Sequence, residues 1–111
     1  MIKELTSKES GFYPNQTSYI VEKIRDSFTS HVVFGKLGAN LQSICTEAII
    51  FNFRHTPFTY KLETITETDE ITKEKTVKET YIFEFDLQVP GTDHKINLLT
   101  RLNKHDVERI L

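Results

Sequence analysis

Residues 48–62 read AIIFNFRHTPFTYKL, and the fold turns on the point within them where the spacing of apolar residues changes. After Pro57, the residues Phe58, Tyr60 and Leu62 alternate with Thr59, Lys61 and Glu63, which is the period of a strand with one buried and one wet face. Before it, Leu41, Ile44, Cys45, Ala48, Ile49, Phe51 and Phe53 cover a broad arc of a helical wheel, opposite Ser43, Thr46, Glu47 and Arg54. That arc predicts a helix over 39–54, placed centrally in the fold. It would end before Thr56-Pro57, because a residue preceding proline is pushed out of helical conformation. The β-branched and aromatic stretch 48–53 also suits a strand that follows a shorter helix. Asn52 falls near the middle of the apolar arc, where an amide needs a hydrogen-bond partner, and neighbouring backbone is the expected one.

Downstream, Tyr81, Phe83, Phe85, Leu87 and Val89 alternate with Glu84, Asp86 and Gln88, a second strand with a wet face. Between the two strands, TETDEITKEKTVKET is Thr-rich and charged and contains no Gly or Pro, so a long hairpin is expected whose outer part, 66–79, projects into solvent. Pro90-Gly91-Thr92-Asp93 reads as a turn. KINLLTRL (95–102) fits either a strand or a helix, and NKHDVERIL (103–111) fits a short helix capped by Asn103.

Upstream, Asn15 is a candidate N-cap, and Ile20, Ile24 and Phe28 recur at four-residue spacing, giving a helix over 16–30. Residues 1–13 are weakly patterned and read as a frayed tail or a short edge strand. The 111 residues then form one α+β domain: two N-terminal helices packed on an antiparallel β-hairpin sheet, closed by a C-terminal helix or strand-helix unit.

Composition narrows the function classes. Fourteen basic and sixteen acidic residues give a net charge of -2, which disfavours a broad phosphate-binding surface. The lone cysteine, Cys45, has no internal disulfide partner; it lies in the apolar arc and reads as a small core residue. No apolar run approaches the roughly 18 residues of a membrane span, and no N-terminal run has the build of a signal peptide, so a cytoplasmic protein without membrane association is expected. His31, His55, His94 and His105 have no zinc-type spacing. Asp93-His94 and His105-Asp106 form a metal site only if they meet in space. Glu84 and Asp86 share a strand face, which is better explained by solvation than by acid-base chemistry without a pocket. No catalytic residue and no cofactor or metal is expected.

Two functional readings remain. The first is a non-enzymatic protein–protein interaction subunit of a cytoplasmic or phage/secretion-type assembly, whose partner is another protein or a second copy. Its contacts would come from the sheet edge and from the hairpin's Glu67, Asp69, Glu70, Lys73, Glu74, Lys75 and Lys78.

The second rests on VFGKLGANLQSI (33–44), which is similar to the GxxG signature of the KH (K-homology) family of RNA-binding domains. In that family two glycines separate two helices, a lysine often lies between them, and aliphatic residues follow at the third and sixth positions after the second glycine, here Leu41 and Ile44. The resemblance implies the order strand, helix, GxxG, helix, strand, variable loop, strand, helix. It also implies that Gly35, Lys36, Gly38 and Asn40 contact a single-stranded RNA or DNA backbone while Leu41 lines a groove for bases. The plain alternative is that the two glycines serve a tight interhelical turn.

Overall fold

The computed structural model describes residues 2–6 and 12–110. Strand β1 (Ile2–Thr6) is followed by helix α1 (Pro14–Thr29), a 3-10 turn (Phe34–Lys36) and helix α2 (Ala39–His55). Three strands come next, β2 (Thr59–Thr68), β3 (Lys75–Gln88) and β4 (Lys95–Asn103), and a short helix α3 (Lys104–Glu108) closes the chain. The sheet is an antiparallel meander in the order β1-β2-β3-β4. Of the N-terminal stretch, residues 2–6 form the edge strand, while Met1 and residues 7–11 lie outside the described residues.

The alternating pattern decides which side of the sheet is covered. Tyr60, Tyr81, Phe83, Leu87, Ile96, Leu98 and Leu102 are buried on one face, against Ile20, Ile24 and Phe28 of α1. Rings tile the middle of that layer, with Tyr60 stacked on Phe83 at 5.4 Å and edge-on to Tyr81 at 5.2 Å. Thr100 is the polar member of the buried β4 row, and its hydroxyl lies 2.8 Å from that of Ser27 on α1, so it is not left unsatisfied. The ambiguous 95–102 stretch is therefore strand: its strict in-out alternation puts four residues on the core and leaves Asn97, Leu99 and Arg101 in water.

Helix α1 starts earlier than residue 16. Its N-cap is Tyr13, with Pro14 in the first turn, rather than Asn15. Proline presets the helical φ there and lacks the N–H that a first turn leaves without a partner. Gln16 reaches back, its Oε1 accepting from the Tyr13 N–H at 3.0 Å, and its Nε2 donates to the Val107 carbonyl at 3.1 Å, which ties α1 to α3. Asn103 caps α3 as expected, accepting from the His105 N–H at 2.8 Å.

Helix α2 packs on α1 but is peripheral rather than central. Its buried stripe is narrow, Cys45, Ile49 and Phe53, whereas Ile44 and Phe51 from the expected apolar arc are exposed. Stretch 48–53 is helical throughout, and Asn52 is half-buried with its amide donating to the Ala48 carbonyl at 2.8 Å. Cys45 is fully buried, and burial pushes its thiol pKa up, as expected for a packed rather than reactive cysteine.

Candidate functional site

The β2–β3 hairpin runs in regular register from Lys61↔Ile82 out to Thr68↔Lys75. Strand β1 accompanies β2 only to Glu63, and β4 leaves β3 at Thr80. Beyond these points, Ile65–Thr68 and Lys75–Glu79 have no third strand beside them among the described residues. They form a two-stranded ribbon in which residues 65–78 are all exposed. This arm accounts for the elongated outline of 55 × 29 × 21 Å.

Side chains fix the arm at both ends. At its root, Lys104 lies 3.2 Å from Glu79 and 3.7 Å from Glu108, and the Tyr81 hydroxyl donates to Glu108 at 3.3 Å. The hydrogen bond to Glu79 raises the Lys104 pKa. At the tip, Asp69 accepts from the N–H groups of Ile71 (2.8 Å) and Thr72 (3.1 Å), and these donors lower its carboxyl pKa. The Asp69 N–H closes the loop on the Glu74 carbonyl at 2.8 Å. Lys73 takes the left-handed conformation that completes the turn, with φ 62°.

Of the seven arm residues singled out from the sequence, Asp69 thus builds the loop. Glu67 and Lys78 pair diagonally at 3.5 Å on one face of the ribbon, both well exposed, a contact worth little energetically. Glu70, Lys73, Glu74 and Lys75 project from the tip and its shoulders, all exposed. Sequence reasoning passed over three aliphatic residues among these charges. Ile71 at the tip is 92% exposed, and Ile65 and Val77 lie open on the two faces. The signal was present in TDEITKEKTV, where an aliphatic residue in an otherwise polar turn has no core to enter.

The G-K-L-G segment is held from beneath by the protein itself. Gln42 donates to the carbonyls of Phe34 (3.0 Å) and Leu37 (3.1 Å), and the Phe34 ring packs edge-on against Phe28 at 5.1 Å. Gly35, Lys36, Gly38 and Asn40 are all exposed, while Leu41 is half-buried and packed against the core. Gly38 is the N-cap of α2 with φ -67° and ψ 160°, and it offers no side-chain cap. A Cβ added at Gly35 or Gly38 would meet nothing within 4 Å. Neither position needs glycine for internal packing. The architecture carries one strand more than the KH resemblance implies, with β1, β2 and β3 adjacent in a meander.

The remaining groups stay dispersed. Asp93-His94 and His105-Asp106 sit at opposite ends of β4, whose nine residues span about 30 Å, so the two pairs do not meet. Glu84 and Asp86 share the open face of the sheet, where the Asn97 amide donates to both at 3.2 and 2.8 Å. A cleft between the end of α2 and the sheet is lined by Asn52, Phe53, Phe58 and Phe85, with Glu84 as its titratable group. Among the described residues no helix is long and apolar enough to cross a membrane. No family model, no curated protein and no solved structure matches this chain.

Proposed function

We propose that the chain is a non-enzymatic interaction subunit that joins a cytoplasmic or phage/secretion-type protein assembly through its hairpin arm, with the open edge of β4 as a secondary contact. The observation that carries this reading is the arm itself, a ribbon that buries none of its outer residues and ends in the bare side chain of Ile71. An isolated two-stranded hairpin is marginal in water, so a long one needs support from outside or must serve a purpose there. The tip offers an aliphatic knob ringed by Glu70, Lys73 and Glu74, which suits a small apolar pocket with a charged rim on another protein. Lys73 supports the same reading: it keeps a charged side chain at a left-handed position that costs about 1 kcal/mol and that glycine would occupy freely.

A photoreactive amino acid placed at position 71 in host cells should give a discrete adduct, and one placed at Val32, also well exposed, should not. Shortening the arm by an Asn-Gly turn in place of residues 66–77 should leave the stability of the remaining domain within about 1 kcal/mol, since nothing buried is removed. No adduct at 71, or the same adducts at both positions, counts against the reading.

The open space around the two glycines favours a second reading, single-stranded nucleic acid held at Gly35, Lys36, Gly38 and Asn40. Its test separates binding from folding. Gly38→Asp places an acceptor and a negative charge at a vacant N-cap, which should raise stability by about 0.5–1 kcal/mol and the melting temperature by about 2–4 °C. The same carboxylate would repel a phosphate chain. Salt-sensitive oligonucleotide binding that is lost in the Lys36→Asp, Gly38→Asp variant, with Tm unchanged or raised, would support this reading, and no binding at low salt would end it.

A further inference from the structure

Helix α2 carries two apolar stripes on opposite sides, and the fold buries one of them. Cys45, Ile49 and Phe53 face α1 and the sheet, while Ile44 and Phe51, seven residues apart, lie almost diametrically opposite. That outermost line of a peripheral helix is where polar residues belong. Here Ile44 is 47% exposed and Phe51 60%, with the Phe51 ring resting on His55 at a centroid distance of 4.9 Å.

We infer that this face of α2 is a homodimer interface, in which the α2 helices of two copies pack antiparallel across a two-fold axis. Three features of the face select a second copy over an unrelated occupant. Exposed Ile44, Phe51 and His55, with Ala48 half-buried at the margin of the core between them, follow one another at spacings of four, three and four, the seam of a two-helix packing. Run antiparallel, that seam sets the large Phe51 of each copy against the small Ala48 of the other, and Ile44 against His55, so bulk meets space twice by symmetry. The register that aligns Phe51 with Ala48 also fixes the flanking charges. Glu47 and Arg54, both exposed and one heptad apart on the same side of the seam, fall opposite each other across the axis, Glu47 of one copy facing Arg54 of the next. A face whose own charges and volumes complement themselves under one rotation is suited to a copy of itself. The contact is centred on one 17-residue helix, about 25 Å long, which places it among small, exchanging interfaces rather than obligate ones.

The inference is independent of the arm, which lies on other elements, and its test keeps the two apart. Sedimentation equilibrium of the full chain should show a monomer–dimer equilibrium, with Phe51→Glu raising the dissociation constant by at least about tenfold. Glu47→Arg and Arg54→Glu, each alone, should weaken the dimer by setting like charges opposite. Mixing these two variants should restore association as a heterodimer, because every facing pair is then opposite in sign. All of these substitutions are at exposed positions, so each variant can be checked for unchanged folding by its circular dichroism. A chain that remains monomeric at the highest concentrations would overturn the inference. So would a dimer that survives Phe51→Glu, one lost on shortening the arm, or charge variants that do not rescue each other.

Discussion

Phe53→Ala should lower the stability of the monomeric domain by about 3–5 kcal/mol, and Phe51→Ala, two residues away on the same helix, by no more than about 0.5 kcal/mol. Phe53 is 4% exposed and meets Phe58 and Phe85 at ring distances of 5.0 and 5.4 Å. Its removal therefore takes buried area, two aromatic contacts and the filling of a cavity together. Phe51 touches His55 and water. In a domain of this size the first change should shift the melting temperature by roughly 13–20 °C and the second by about 2 °C or less. Urea unfolding at dilute protein, where self-association does not contribute, measures both. The contrast is specific to a helix: in an extended 48–53 segment the two rings would share a face, and the two losses would be similar.

Alkaline pH should expose a second large effect, at Tyr81. Burial raises the pKa of this phenol, and the negative charge of Glu108, which accepts its hydrogen bond, raises it further. In the unfolded chain a tyrosine ionises near its ordinary value of about 10, while the folded protein keeps the proton. Below about pH 10 neither state is ionised and Tyr81 adds no pH dependence. Above it, the unfolded state alone gains the ionisation free energy, so stability falls by up to about 1.4 kcal/mol per pH unit until the folded phenol also titrates. Tyr81→Phe should cost about 1 kcal/mol at neutral pH through the lost hydrogen bond, yet show a shallower decline above about pH 10, so that the two stability curves converge. Denaturant titrations across that range provide the test; parallel curves for the two proteins would count against the assignment.

Strands β2 and β3 were the most legible part of the sequence because their signal is redundant, whereas the two edge strands were left open, 95–102 fitting a helix as well and 2–6 a frayed tail. Phe83, Phe85 and Leu87 alternate with Glu84, Asp86 and Gln88, and the covered face follows from that period even though Ile82, buried on the other face, interrupts it next to Tyr81. Helix α2 was legible in extent, between Gly38 and Thr56-Pro57, but not in its surroundings. A helical wheel shows how wide an apolar arc is. It does not show how many partners the fold will supply, so Ile44 and Phe51 read as core although they face outward. The start of α1 was displaced for a local reason, since the competing signals of Asn15 and of Pro14 with Gln16 differ by a residue or two and the hydrogen bonds decide between them. The arm's charges were identified as candidate contacts from composition. Asp69's role in the loop and the exposure of Ile71 depend on the register of the turn, which composition does not specify.

The projecting arm also changes how this molecule moves through solution. Its radius of gyration is 16.4 Å, whereas a compact chain of 111 residues would have about 13 Å. A compact protein would need roughly 200 residues to reach the same value, close to two copies of this chain. On a calibrated gel-filtration column the monomer should therefore travel ahead of its mass and approach the elution volume of a globular dimer. The arm-shortened chain should fall back towards its own mass, without any change in the number of chains that travel together.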